Sequence, residues 1–187
     1  MKYFVGLDLG QSHDPSAIAV LEADDGLVLR YLKRAPLGTP YPELVEWVRD
    51  IVTSEKLQGR CGLVVDGTGV GEVSDVNMTG GDRESDRGSE LNAPRCNVPK
   101  RDLIAGLQVG LASKLLRISA RLPDAEALMG ELMDMKVTQR EQGRVRMGAD
   151  RFGQHDDMVI ALALAVWRSK RAGVKKINFG GGRILCM

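Results

Sequence analysis

Tyr3-Phe-Val-Gly-Leu-Asp-Leu-Gly10 is a short apolar run with one carboxylate, Asp8, set inside it. The run reads as a buried strand, and an ionised aspartate is costly to desolvate there and a poor strand former. A strand ending in an Asp-Leu-Gly turn would be the plain explanation. Two later apolar segments deliver acids to their ends in the same way, at Asp66 and at Asp156-Asp157. Three carboxylate-bearing ends point to one shared site.

The strands and helices around that first run follow from pattern. Ala17 to Leu21 is a second apolar run, Asp24-Asp25-Gly26 is a hairpin signal, and Leu27 to Leu32 completes three antiparallel strands. Leu44, Val48, Ile51 and Val52 recur at helical spacing, which predicts a helix over about 41 to 55. Cys61-Gly-Leu-Val-Val-Asp66 follows it as a buried parallel strand whose active groups lie beyond its carboxyl end. The glycines of Gly67-Thr-Gly-Val-Gly71 do not match a dinucleotide fingerprint or a phosphate loop; they suit a tight turn beside Asp66. The expected fold class is α/β, a central mixed sheet of three antiparallel strands and then parallel strands, flanked by helices.

In the second half, residues 80–99 are polar and glycine-rich and read as a mobile surface loop, not a domain boundary. A helix opens at Pro99-Lys-Arg-Asp102, with Ile104, Leu107, Leu111 and Leu115 on one face; Leu116 to Ile118 is a short strand; another helix begins at Pro123. Val137 to Met147 reads as a hairpin turning at Gln142-Gly143. His155-Asp-Asp-Met-Val-Ile-Ala-Leu-Ala-Leu-Ala-Val-Trp167 is apolar on all sides and predicts a helix buried against the sheet. Its two acids suit a helix amino terminus, yet a cap needs only one.

Composition limits the class. The chain has 187 residues, 43% hydrophobic and 27% charged, with a net charge of +1, which fits one domain over 1–187 with a sizeable core. The longest apolar run, Met158 to Trp167, is too short to cross a bilayer and the amino terminus carries no signal-peptide pattern, so a cytoplasmic protein without membrane contact is expected. The cysteines, Cys61, Cys96 and Cys186, are widely spaced and read as reduced thiols, with no zinc site. Residues 170–187 read as a basic, glycine-rich tail.

The clustered acids imply a chemistry. Asp8, Asp66 and Asp157 meeting in a partly desolvated site would raise one another's pKa unless cations intervene. Oxygen-only ligands select hard divalent ions, magnesium or manganese. Two such ions could activate a water and stabilise the leaving oxygen in phosphodiester cleavage. Asp14 could reach the site across the turn as an additional ligand. His13 and His155 lie nearby, although a histidine beside an acid is more often a structural partner. Lys100 and Arg101 sit at a helix start where a phosphate would relieve the unfavourable dipole, and Arg140, Arg144 and Arg146 on the hairpin could grip a DNA backbone.

These blocks together carry a likeness. Gly6-Leu-Asp-Leu-Gly10 with Asp14-Pro-Ser-Ala17, Val65-Asp-Gly-Thr-Gly-Val-Gly71, Val98-Pro-Lys-Arg-Asp102 and His155-Asp-Asp-Met-Val-Ile-Ala161 resemble, in the same order, the ribonuclease H-like nuclease domain of tailed-phage large terminase subunits. The resemblance implies that Asp8, Asp66 and Asp157 are the metal-binding catalytic acids, with Asp14 and Asp156 lining the same site. It implies metal-dependent endonucleolytic cutting of double-stranded DNA in genome packaging, within a bacterial host cell. Its partners would be DNA, an ATPase motor, a small terminase subunit and a portal. Large terminases carry an amino-terminal ATPase motor that these residues lack, so either an excised nuclease domain or a free-standing prophage relative is expected. Neighbouring readings are a junction-resolving nuclease of the same fold, an actin-like or sugar-kinase-like ATPase lobe, and a non-catalytic packaging protein.

Overall fold

The computed structural model describes residues 2–10, 14–66, 74–77, 96–139, 145–148 and 155–172. Expectations placed on His13, the glycine run 67–71, Arg140, Arg144, most of the loop 80–99 and the tail beyond 172 lie outside the described residues, as does the side chain of Arg146.

Strand β1 (Tyr3–Asp8) pairs antiparallel with β2 (Ala17–Asp24), and β2 pairs antiparallel with β3 (Gly26–Arg34). The β2–β3 turn closes with Asp24 opposite Gly26, whose φ of 120° is open to glycine at little cost. Helix α1 (Tyr41–Val52) then leads to β4 (Cys61–Asp66), which lies parallel to β1 on its other side. A strand not anticipated from the sequence, β5 (Ser74–Asn77), adds antiparallel to β4 at the sheet edge. Helix α2 (Lys100–Ala112) precedes β6 (Leu116–Ile118), which runs parallel to β3 at the opposite edge. The sheet order is β5-β4-β1-β2-β3-β6. Helix α3 (Ala125–Asp134), the hairpin of β7 (Lys136–Gln139) with β8 (Val145–Gly148), and helix α4 (Asp157–Arg171) complete the described elements. Because α4 continues through Arg171, Lys170 and Arg171 belong to that helix; the expected tail cannot begin at 170.

Alternation along the central strands sorts the core into two sides. Val5, Leu7, Ile18, Val20 and Leu63 pack with Val48 and Val52 of α1. Phe4, Ala17, Ala19, Leu21 and Val64 pack with α4, α2 and α3. Every residue of α4 from Asp157 to Ser169 is buried. That is why its sequence is apolar all round: it is covered by the sheet on one side and by α2 and α3 on the others. Alanine and leucine also make it a strong helix former. No helix among the described residues is long and apolar enough to cross a membrane.

Candidate metal centre

Asp8 and Asp66 are the last residues of two adjacent parallel strands, and they face each other in register. In-register residues of neighbouring strands project to the same face. That face belongs to α4, since Asp8 shares it with Phe4 and Asp66 with Val64. The parallel ladder runs to its end here, with the Leu9 N–H donating to the Asp66 carbonyl at 3.2 Å. Glycine at position 6, between Phe4 and Asp8, lets the α4 backbone lie directly on β1. Helix α4 thereby brings its amino-terminal acids, Asp156 and Asp157, to the strand ends.

The electrostatics report the assembly. Burial pushes the Asp8 carboxyl well above the usual carboxylate range, the charges of Asp66, Asp157 and Asp156 push it further, and Lys100 opposes them. Two protein cations meet the acids of α4. The Lys100 ammonium, at the start of α2, donates to Asp156 Oδ2 at 2.6 Å. Arg34, the last residue of β3, donates from Nε to Asp157 Oδ2 at 2.7 Å. The other carboxylate oxygen, Asp157 Oδ1, is buried and has no hydrogen-bond partner among the described residues.

Neither acid of α4 serves as a cap. Asp156 stands at the N-cap position without a side-chain cap hydrogen bond. The orphan N–H of Val159 donates instead to Glu131 Oε2 of α3, at 3.1 Å. Glu131 is also ion-paired to Arg34. Arg34 and Glu131 were not singled out from the sequence. Arg34 looks like any charged residue closing a half-exposed strand. Glu131 left a faint signal, an acid one turn on from Leu128 in an apolar helical stripe.

The remaining expected residues are placed as follows. Asp14 is exposed in the β1–β2 connection, in a turn that Gly10 anchors by donating its N–H to Ser16 Oγ at 3.0 Å. His155 is half-buried just before α4. Arg101 is exposed and pairs with its neighbour Asp102 at 3.3 Å, so it does not share the role of Lys100 at the acids. Arg146 lies in β8 opposite Thr138.

Among the described residues, no three His, Cys, Asp or Glu side chains stand as a ready-made metal cage. With Arg34 and Lys100 on two of the acids, their present partners are cationic side chains. The donor set nonetheless fits a hard divalent ion: it is oxygen-only, it carries more negative charge than the two cations offset, and it holds a buried carboxylate oxygen with no hydrogen-bond partner among the described residues. Cys61, buried on the α1 side, takes no part.

No protein-family model and no curated protein matches the chain. Solved structures do. The large terminase nuclease from thermophilic phage G20c superposes with a TM-score of 0.63 at 22% identity, over 89% of this chain and 82% of that one. The large terminase nuclease domain of Thermus phage P74-26 gives 0.60 at 23% identity, over 88% and 77%. The corresponding domain of bacteriophage SPP1, with bound Mn, gives 0.54 at 13% identity, over 90% and 87%. The mixed sheet, with its parallel β1–β4 pair and the buried α4 laid across it, thus has the ribonuclease H-like fold of the phage large terminase nuclease domains.

Proposed function

We propose that the protein is a metal-dependent endonuclease that hydrolyses phosphodiester bonds of double-stranded DNA, as a genome-packaging nuclease does. The observation that carries this reading is the register of Asp8 with Asp66 at the ends of two parallel strands, with the acids of α4 close enough to raise the pKa of Asp8. The fold likeness agrees with it, and the G20c and SPP1 nucleases bind magnesium and manganese respectively.

In this reading Asp8, Asp66 and Asp157 hold the ions and Asp156 lines the same site. A bound pair of magnesium or manganese ions would supply an activated water and neutralise charge at the scissile phosphate. The chain's own residues do the rest. The strand ends fix Asp8 and Asp66 to the rigid centre of the sheet, where their spacing does not depend on a loop. The acid cluster repels a phosphate diester until its charge is offset, so substrate and ion binding are coupled. Lys100, at the rim, would take a backbone phosphate, and Arg140, Arg144 and Arg146 would add further phosphate contacts. A packaging motor, small subunit and portal would be its partners.

Cleavage of supercoiled plasmid with manganese tests the reading. Wild-type protein should nick and linearise it, while Asp8→Asn and Asp157→Asn lose activity by at least about 100-fold with native circular dichroism. Cutting at the wild-type rate by either folded variant would remove the acids from the chemistry.

A further inference from the structure

Arg34 lies between two buried acids from different helices. Its Nε holds Asp157 Oδ2 at 2.7 Å and its Nη2 holds Glu131, whose other oxygen accepts the Val159 N–H at 3.1 Å. Strand β3, helix α3 and the first turn of α4 are thereby tied at one point. Asp157 is 5% exposed and Glu131 8%. An Arg34–Glu131 pair would already be balanced by itself. Asp157 adds a second negative charge, and its Oδ1 is left buried and without a hydrogen-bond partner among the described residues. Burying such an oxygen is unfavourable unless something positive meets it.

We infer that Arg34, anchored by Glu131, is a positioning residue for the metal centre: it fixes Asp157 by one oxygen so that the other is presented to a divalent cation. This rests on the divalent-cation reading of the acid cluster. The planar guanidinium suits the task because two of its nitrogens can address two carboxylates in fixed directions, which an ammonium cannot do. Groups that orient a metal ligand in this way commonly alter metal affinity 10- to 100-fold when removed.

Charge offset by Arg34 and positioning by Arg34 give opposite signs for one substitution. If Arg34 merely offset negative charge, Arg34→Gln would remove a positive group beside the site and tighten manganese binding. If it positions Asp157, Arg34→Gln weakens binding despite the more favourable charge. Titration calorimetry of the full chain with manganese chloride, on wild type, Arg34→Gln and Arg34→Lys, reads this without any nuclease assay. The expected result is measurable binding by wild type, about 10-fold or greater weakening in both variants, and native far-ultraviolet circular dichroism in at least one. Unchanged or tighter binding by folded Arg34→Gln, or wild-type affinity in folded Arg34→Lys, would overturn the assignment while leaving the ion site intact. Loss of native structure in both variants would make Arg34 a folding residue and equally overturn it. Absence of manganese binding by wild type would instead bring down the metal reading itself.

Discussion

Gly6 of β1 lies against the backbone of Ala161 in α4 so closely that a Cβ built on the glycine would stand 2.0 Å from the Ala161 carbonyl oxygen and 2.8 Å from the Ala165 nitrogen. Both obstacles are main chain in a fully buried helix, so neither can rotate aside. Gly6→Ala should therefore push α4 off the sheet, at a cost of about 3 kcal/mol or more. That lowers the melting temperature by roughly 6–12 °C for a chain of this size. Gly130→Ala in α3 is the control: nothing lies within 4 Å of its added methyl, and alanine is the better helix former. A thermal melt showing Gly6→Ala as stable as Gly130→Ala would mean that α4 does not seat on β1 through this contact.

The same seating sets Asp8 in a buried position among like charges. Burial and three neighbouring acids disfavour its charged form. Asp8→Asn should then be more stable than wild type at neutral pH in the presence of a chelator, by on the order of 1 kcal/mol, as is common when a functional site is relieved of repulsion. Adding manganese should invert the order. A site held at 100 times its Kd stabilises the wild type by about 2.7 kcal/mol, and the variant less. Melts with and without the ion decide it, and a wild type more stable than Asp8→Asn under chelation would contradict the repulsion.

At the other end of the β1–β2 pair, opposite Tyr3, Glu22 shows the opposite electrostatic case. Its carboxylate on β2 takes Lys2 at 2.8 Å and Arg30 at 2.7 Å, and it accepts a 3.3 Å hydrogen bond from the Tyr3 hydroxyl. Hydrogen bonds from Lys2 and Arg30 pull its pKa down from 4.5 to about 2. A depressed folded-state pKa gives stability that is fully present above 4.5 and lost as pH falls toward 2. Both cations are exposed, so solvent screening keeps the contribution to roughly 0.2–1 kcal/mol. Glu22→Gln should accordingly be slightly less stable than wild type at pH 7, with the difference closing between pH 4.5 and 2. A difference that persists at pH 2 would assign it to packing or hydrogen bonding, not to charge.

How far the sequence could be read depends on where each element's information is stored. Strand β4 and helix α4 carry theirs locally: a short apolar run bounded by glycine and acid, and a longer alanine- and leucine-rich run behind two aspartates. Both matched their expected positions, and so did the hairpin turn at Gly26. Strand β5 carries almost nothing. Ser74-Asp-Val-Asn77 is polar and short, and its extended form comes from pairing with the open edge of β4. Arg34 was illegible for a related reason. It resembles Arg30 on the same strand, and the partner that distinguishes it, Asp157, lies 123 residues away. The register of Asp8 with Asp66 was anticipated only as adjacency, because a parallel pairing is fixed by the crossover through α1 and not by either strand alone.

Lys100 offers the last test, because it has a partner in the protein and another expected in the nucleic acid. In the structure it donates to Asp156 at 2.6 Å and lies beside the cluster whose charge it lessens. An ion in that cluster would compete with it for the acid, leaving the ammonium available to a phosphate at the rim. Lys100→Ala should then weaken duplex binding with calcium present as a non-cleaving ion, and lower the magnitude of the slope of log K against log salt by about 0.9, the value for one phosphate contact. Arg101→Ala, which breaks an exposed pair with Asp102, should change that slope less. Fluorescence anisotropy across a salt series measures both. A slope unaltered by Lys100→Ala would confine Lys100 to holding Asp156 and take it out of the DNA track.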